Sequence, residues 1–201
     1  MIYYTNFLNE IIVTETNDEI KKRYLQELFT VLTKASEQFP YNTRIKNQMI
    51  EMHFVHEYSV DAVNELADLI KIAPYTPSYY DRTVEYSYRI GQLFFEQKDQ
   101  QTAQKYWQQA IDMYDQYTQL HTNIVEQKKP NEDQFRIKKE TNLYVALAYF
   151  ALQQSEQAEE ILQKVVPDNA KLQELVKTIQ QTVTSNLVTD EAIKDWLKAL
   201  P

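Results

Sequence analysis

Residues 90–110 read IGQLFFEQKDQQTAQKYWQQA, that is Ile90-Gly91-x-x-Phe94, eight residues, then Ala103-x-x-x-Trp107-x-x-Ala110. Apolar residues three and four apart on both sides of a polar break predict two amphipathic helices folded back on each other. The small Ala103 lets the second helix approach the first closely, and the bulky residue four later fills the groove between them. The same spacing recurs on both sides. Upstream stand Met49-Ile50-x-x-His53 and Ala62-x-x-x-Leu66-x-x-Leu69, closed by Pro74. Downstream stand Val145-Ala146-x-x-Tyr149 and Ala158-x-x-x-Leu162-x-x-Val165. Three copies in one register predict a repeat array.

Helical spacing extends along nearly the whole chain. Tyr4, Phe7, Leu8, Ile11 and Ile12 form a first stripe, and Asn17 is placed to cap a second helix with Asp18 and Glu19 in its first turn. That helix carries Ile20, Tyr24, Leu28, Val31, Leu32 and Ala35 and stops at Pro40. Further helices are expected at 42–56, 59–73, 79–97, 100–127, 131–153, 155–166, 169–185 and 189–199, making ten in five antiparallel pairs. The last of them is capped by Thr189 or Asp190, with Ile193, Trp196, Leu197 and Leu200 facing inward. One glycine among 201 residues excludes Gly-rich phosphate loops, dinucleotide fingerprints and nucleophile elbows, and disfavours tight hairpins. The absence of cysteine removes disulfides and thiolate chemistry. No apolar run reaches the roughly 18 residues of a membrane span, and the first residues lack the marks of a signal peptide.

The three copies resemble the tetratricopeptide repeat. The resemblance implies an all-α superhelical array of antiparallel helix hairpins, a TPR-like α-solenoid of about ten helices. Its parts within a single domain over 1–201 are a degenerate hairpin at 1–42, repeats at 43–76, 84–117 and 139–170, and capping helices at 169–201. Ala103 and Ala158 are 55 residues apart, against about 34 for the usual repeat. A long hairpin is therefore expected over 103–153, with both helices extended and a tip at Lys128–Asp133.

Catalytic constellations are not apparent, and the chain reads as a non-enzyme without cofactor or metal. Ser36, Ser59, Ser78, Ser87, Ser155 and Ser185 fall in or cap helices, and Glu159-Glu160 lies on a solvated face. His53, His56 and Glu57 share a helix face but lack the zinc-binding order and a further ligand. A net charge of −8, with Lys21-Lys22-Arg23, Lys128-Lys129 and Lys138-Lys139 short and scattered, argues against nucleic acid.

Protein or peptide binding remains. By the resemblance, the residue after each first-helix aromatic position faces a concave groove: Phe54, Phe95 and Phe150. One turn earlier come Glu51, Gln92 and Leu147, then Asn47, Tyr88 and Leu143, with Glu85, Arg89 and Tyr144 alongside. An aromatic ladder suits a peptide, and Glu51, Glu85 and Glu140 stand where chaperone-binding members hold a terminal carboxylate. The expected partner is a neutral or basic segment. Alternatives are a soluble appendage of a membrane polysaccharide polymerase or ligase, since Ala73–Tyr80 resembles the tail of O-antigen enzymes, and a fragment of a peptide-pheromone sensor. A complete chain would be cytoplasmic, and a piece of a larger protein membrane-associated. The abundance of tyrosine, 15 residues, makes self-association through an exposed Tyr-rich face a further expectation.

Overall fold

The computed structural model describes residues 2–57, 60–126, 137–184 and 188–200. Ten helices and no strand are present among them: α1 (Ile2–Thr14), α2 (Asp18–Gln38), α3 (Thr43–Glu57), α4 (Val60–Ile72), α5 (Pro77–Glu96), α6 (Gln100–Glu126), α7 (Lys139–Ala151), α8 (Ser155–Gln163), α9 (Asn169–Thr184) and α10 (Asp190–Ala199). The all-α array read from the spacing is the observed fold. The chain divides into two compact units, residues 1–74 and 75–201, with the boundary at the proline-rich break before α5.

Helix starts are marked by short polar side chains. Asn17 accepts from the backbone N–H groups of Glu19 and Ile20, and Asn42 from those of Arg44 and Ile45. Asp99 accepts from Thr102, Asp168 from Ala170 and Lys171, and Thr189 from Ala192. Each satisfies amides that the first helical turn leaves without a partner. Thr189, not Asp190, is thus the cap of α10, which leaves the Asp190 carboxylate for another partner.

In the first unit, Leu8, Ile12, Leu28, Leu32, Ala35, Ile45, Met49 and Met52 form the core. The stripe of α1 is turned relative to the sequence expectation. Thr5, Leu8 and Ile12 are buried, whereas Tyr4 and Phe7 are exposed. Thr5 can be enclosed because its hydroxyl donates to Gln48 Oε1 at 3.1 Å. Lys46 is likewise buried against Glu65, 2.7 Å away.

The second unit is built on the α5–α6 hairpin. Ala103 is fully buried, as are Ala62 on α4 and Ala158 on α8, so the three small residues read as closest-approach points are all enclosed. At residue 91 a side chain has no room. A Cβ there would stand 2.5 Å from Trp107 Cδ1 and 2.6 Å from Trp107 Nε1. Phe95 lies against Trp107 with centroids 5.5 Å apart, and Phe94 stacks on Tyr106 at 5.8 Å.

Both hairpins close with the same turn and without glycine. Asp99 N–H donates to Phe94 O and Lys98 N–H to Phe95 O. Gln154 N–H donates to Tyr149 O and Gln153 N–H to Phe150 O. This is the Schellman pattern, which requires one left-handed residue. Lys98 (φ 66°) and Gln153 (φ 61°) supply it.

Two expectations are corrected. The extra length between the second and third repeats was expected in both helices. Among the described residues α6 is long, at 27 residues, whereas Ile137 and Lys138 are non-helical and α7 starts only at Lys139. The expected tip at Lys128–Asp133 lies outside the described residues. The fifth antiparallel pair is also not formed. α10 packs against α7 instead of pairing along α9 as the other second helices pair with their first.

Gly91→Ala should lower the unfolding free energy by about 1–3 kcal/mol, the range for overpacking a filled core. Lys98→Gly should raise it by about 1 kcal/mol by removing the side-chain penalty of the left-handed region. Urea unfolding followed by circular dichroism measures both, and unchanged midpoints would contradict the close packing and the turn, respectively.

Candidate functional site

The first helices α5, α7 and α9 of the second unit pack in series. At their C-terminal ends a cleft of about 340 Å³ opens, lined by Gln92, Phe95, Trp107, Phe150, Gln153 and Val183 together with Gln100 and Ala151. A second hollow of about 270 Å³ shares Phe150, Gln153 and Val183 and adds Ser155 and Gln180. The lining is aromatic and amide with no ionised side chain. Gln153 reaches the cleft from the left-handed residue that ends α7, so the turn that closes the hairpin also furnishes its rim.

Nearer the N-termini of the same helices lies a charged cluster. Arg89 Nε is 3.0 Å from Glu85 Oε1, and Arg89 Nη2 donates to the Tyr144 hydroxyl at 2.9 Å. Tyr144 donates in turn to Glu85 Oε1 at 3.1 Å. Arg89 Nη1 also donates to Asp190 Oδ1, and the guanidinium stands 5.5 Å over the Tyr144 ring. Burial of the Tyr144 phenol and the carboxylate of Glu85 hold its pKa well above the ordinary tyrosine value. Burial alone would lower the Arg89 pKa; Tyr144, Asp190 and Glu85 outweigh it and raise it. Arg89 therefore stays a cation and Tyr144 a neutral phenol at ordinary pH.

The residues expected in the groove separate into several environments. Gln92, Phe95 and Phe150 line the open cleft. Glu85, Arg89 and Tyr144 form the cluster under Asp190. Tyr88, Leu143 and Leu147 are almost fully buried, so in this conformation they serve packing and offer a ligand no surface. Asn47, Glu51 and Phe54 belong to α3 in the first unit, where the Asn47 amide donates to Thr43 O at 2.8 Å. The acids do not keep every carboxylate away, since a guanidinium has donors enough for Glu85 and Asp190 together. Trp107, Gln100, Gln153 and Val183 are the contributors that repeat position alone did not bring forward.

A third cluster sits at the other ends of α5 and α7. Thr141 donates to Asp81 Oδ1 at 2.6 Å, and Lys138 Nζ lies 3.3 Å from Asp81 Oδ2. Burial raises the Asp81 pKa, against the opposing effect of Thr141 and Lys138. Tyr114 donates to Asn142 Oδ1 at 2.7 Å, and burial pushes its phenol up to about 12. Tyr80 stacks on Tyr117 at 5.1 Å. With Tyr79, Tyr86, Tyr88, Tyr106 and Tyr144 also buried, the tyrosines of this unit are largely core, not the exposed face anticipated for self-association.

His53 is buried edge-on to Phe29 at 5.7 Å. The side chains of His56 and Glu57, and the whole of Ser59 and Ser185, lie outside what is described. Among the described residues no group of three or more His, Asp or Glu is placed to hold a metal, and no helix is long and apolar enough to cross a membrane.

Asp81→Asn keeps the acceptor for Thr141 and removes the buried charge. A native pKa above the unfolded value means the native state holds the proton more tightly, so stability falls as pH rises through that native pKa. The variant should therefore gain on wild type as pH rises from about 4, the ordinary carboxylate value, toward neutrality. Thermal melts across this range read the difference, and parallel curves would show that Asp81 ionises without cost.

The tetratricopeptide repeat model matches residues 85–117 and 140–166. These segments cover most of α5–α6 and α7–α8, whose first helices carry the cleft and the charged cluster. No curated protein and no solved structure matches the chain. The resemblance of Ala73–Tyr80 to O-antigen polymerase or ligase tails finds no support in these comparisons.

Proposed function

From two segments of tetratricopeptide type, we propose that the protein is a non-catalytic scaffold that binds a protein or peptide partner through the exposed ends of α5, α7 and α9. Repeats of this family typically act in this way, and the matched segments supply every lining residue of the cleft except Val183. The observation that carries the reading is the cleft's composition. Phe95 and Phe150 offer ring surface, and Gln92 and Gln153 offer amide donors and acceptors. Such a lining suits an extended, uncharged segment, whose backbone the amides can pair and whose apolar side chains the rings can cover. No ionised side chain lines the cleft, Glu85 being engaged by Arg89 outside it. A neutral partner is favoured over a basic one for this reason.

The cleft is tested by selecting peptides from a random display library on the whole protein and measuring their affinity by fluorescence anisotropy. Selected peptides should be poor in charge, and Phe95→Ala should weaken them at least tenfold. Gln92→Glu should weaken them further for acidic sequences and rescue basic ones. Peptides whose affinity is unchanged by Phe95→Ala would remove the cleft as the binding site.

A further inference from the structure

The C-terminal helix α10 is held in an unusual manner for the last element of a repeat array. Its buried side chains are Ile193 and Trp196, and Leu200 at its C-cap is buried as well. It reaches all three first helices of the second unit. Asp190 at its start pairs with Arg89 on α5, and Lys139 Nζ on α7 donates to Leu200 O at 3.1 Å. Trp196 and Ala199 face Leu175 and Thr178 of α9 across a gap. α10 therefore lies against the surface where Glu85, Arg89 and Tyr144 would meet a ligand, while the cleft that carries Phe95 and Phe150 is open.

The hold is incomplete in three independent respects. At ten residues α10 is shorter than the roughly 12–15 that sustain a helix in water, so its helicity depends on docking. Its anchoring carboxylate is 58% exposed and thus open to screening by salt. Between it and α9 a solvent-open hollow of about 380 Å³ remains, lined by Val166, Lys171, Glu174, Leu175, Thr178 and Trp196.

We infer that the surface beneath α10 is a helix-binding site whose resident ligand is the chain's own C-terminal helix. A partner's amphipathic helix displaces it by offering the same chemistry: a carboxylate in the first turn for Arg89, and large apolar residues three, six and ten positions later, as Asp190, Ile193, Trp196 and Leu200 present them. The inference rests on the reading of this face as a docking surface. The two fail separately, because Phe95→Ala alters only the open cleft and Asp190→Lys only the covered part.

The test uses a fluorescein-labelled peptide of residues 188–201 added to the full chain. Asp190→Lys in the protein should free the surface and tighten peptide binding at least tenfold over wild type. Asp190→Lys in the peptide should weaken its binding to that variant at least tenfold. Equal affinities in either comparison overturn the inference. Hydrogen exchange of the wild-type protein gives a reading that no variant can confound by misfolding. Amides of α10 should exchange at least tenfold faster than those of α7, and equal protection would make α10 part of the cooperative fold and sink the proposal. A concentration-dependent dimer with mutually exchanged α10 would overturn the assignment to a partner helix, replacing it with a second copy of this chain.

Discussion

Where α6 crosses α5, the indole of Trp107 occupies the space that a Cβ on residue 91 would need. The two helices approach so closely that Ala103 O is only 3.1 Å from that same point. The chain's single glycine is spent here, in a helix interior where it costs roughly 1 kcal/mol relative to alanine, because the backbones cannot meet otherwise. Much of the second unit follows from this contact. Trp107 braces Phe95, the paired rings form one wall of the cleft, and the stacked Phe94 and Tyr106 fix the rotation of both helices about their axes.

Using glycine at the crossing leaves none for the turns. Lys98 and Gln153 accept the left-handed conformation instead, each fixed by two backbone hydrogen bonds that the helix end would otherwise lack. Repetition of one turn on two hairpins sets Phe95 and Phe150 at corresponding places, one residue after the aromatic position of each first helix. The left-handed turn places Gln153 at the rim of the cleft beside Phe150.

The polar groups divide the same face into two environments. Arg89 gathers Glu85, Tyr144 and Asp190 into a network whose donors and acceptors are mutually satisfied, and this allows α10 to settle over it. Beyond that network no ionised side chain lines the cleft. Charge and burial therefore decide which part of the inner surface is already occupied and which stays open.

Hydrophobic period and a repeated small-to-bulky spacing were sufficient, from sequence, for the all-α class, the boundaries of most helices and the burial of Ala62, Ala103 and Ala158. These are local properties, carried by residues three, four or eight positions apart. Phe95, Phe150 and Gln92 were singled out by repeat position, which implies a shared side of the first helices, and they line one hollow. The rotation of α1 was not legible, since enclosing Thr5 depends on Gln48, more than forty residues away. Nor was the late start of α7 at Lys139, or the departure of α10 from α9. Asp190 looked like a cap of its own helix, and only the folded chain brings Arg89 within reach of it. Pairing between residues a hundred positions apart depends on how helices stack, and a one-dimensional pattern holds no measure of that distance.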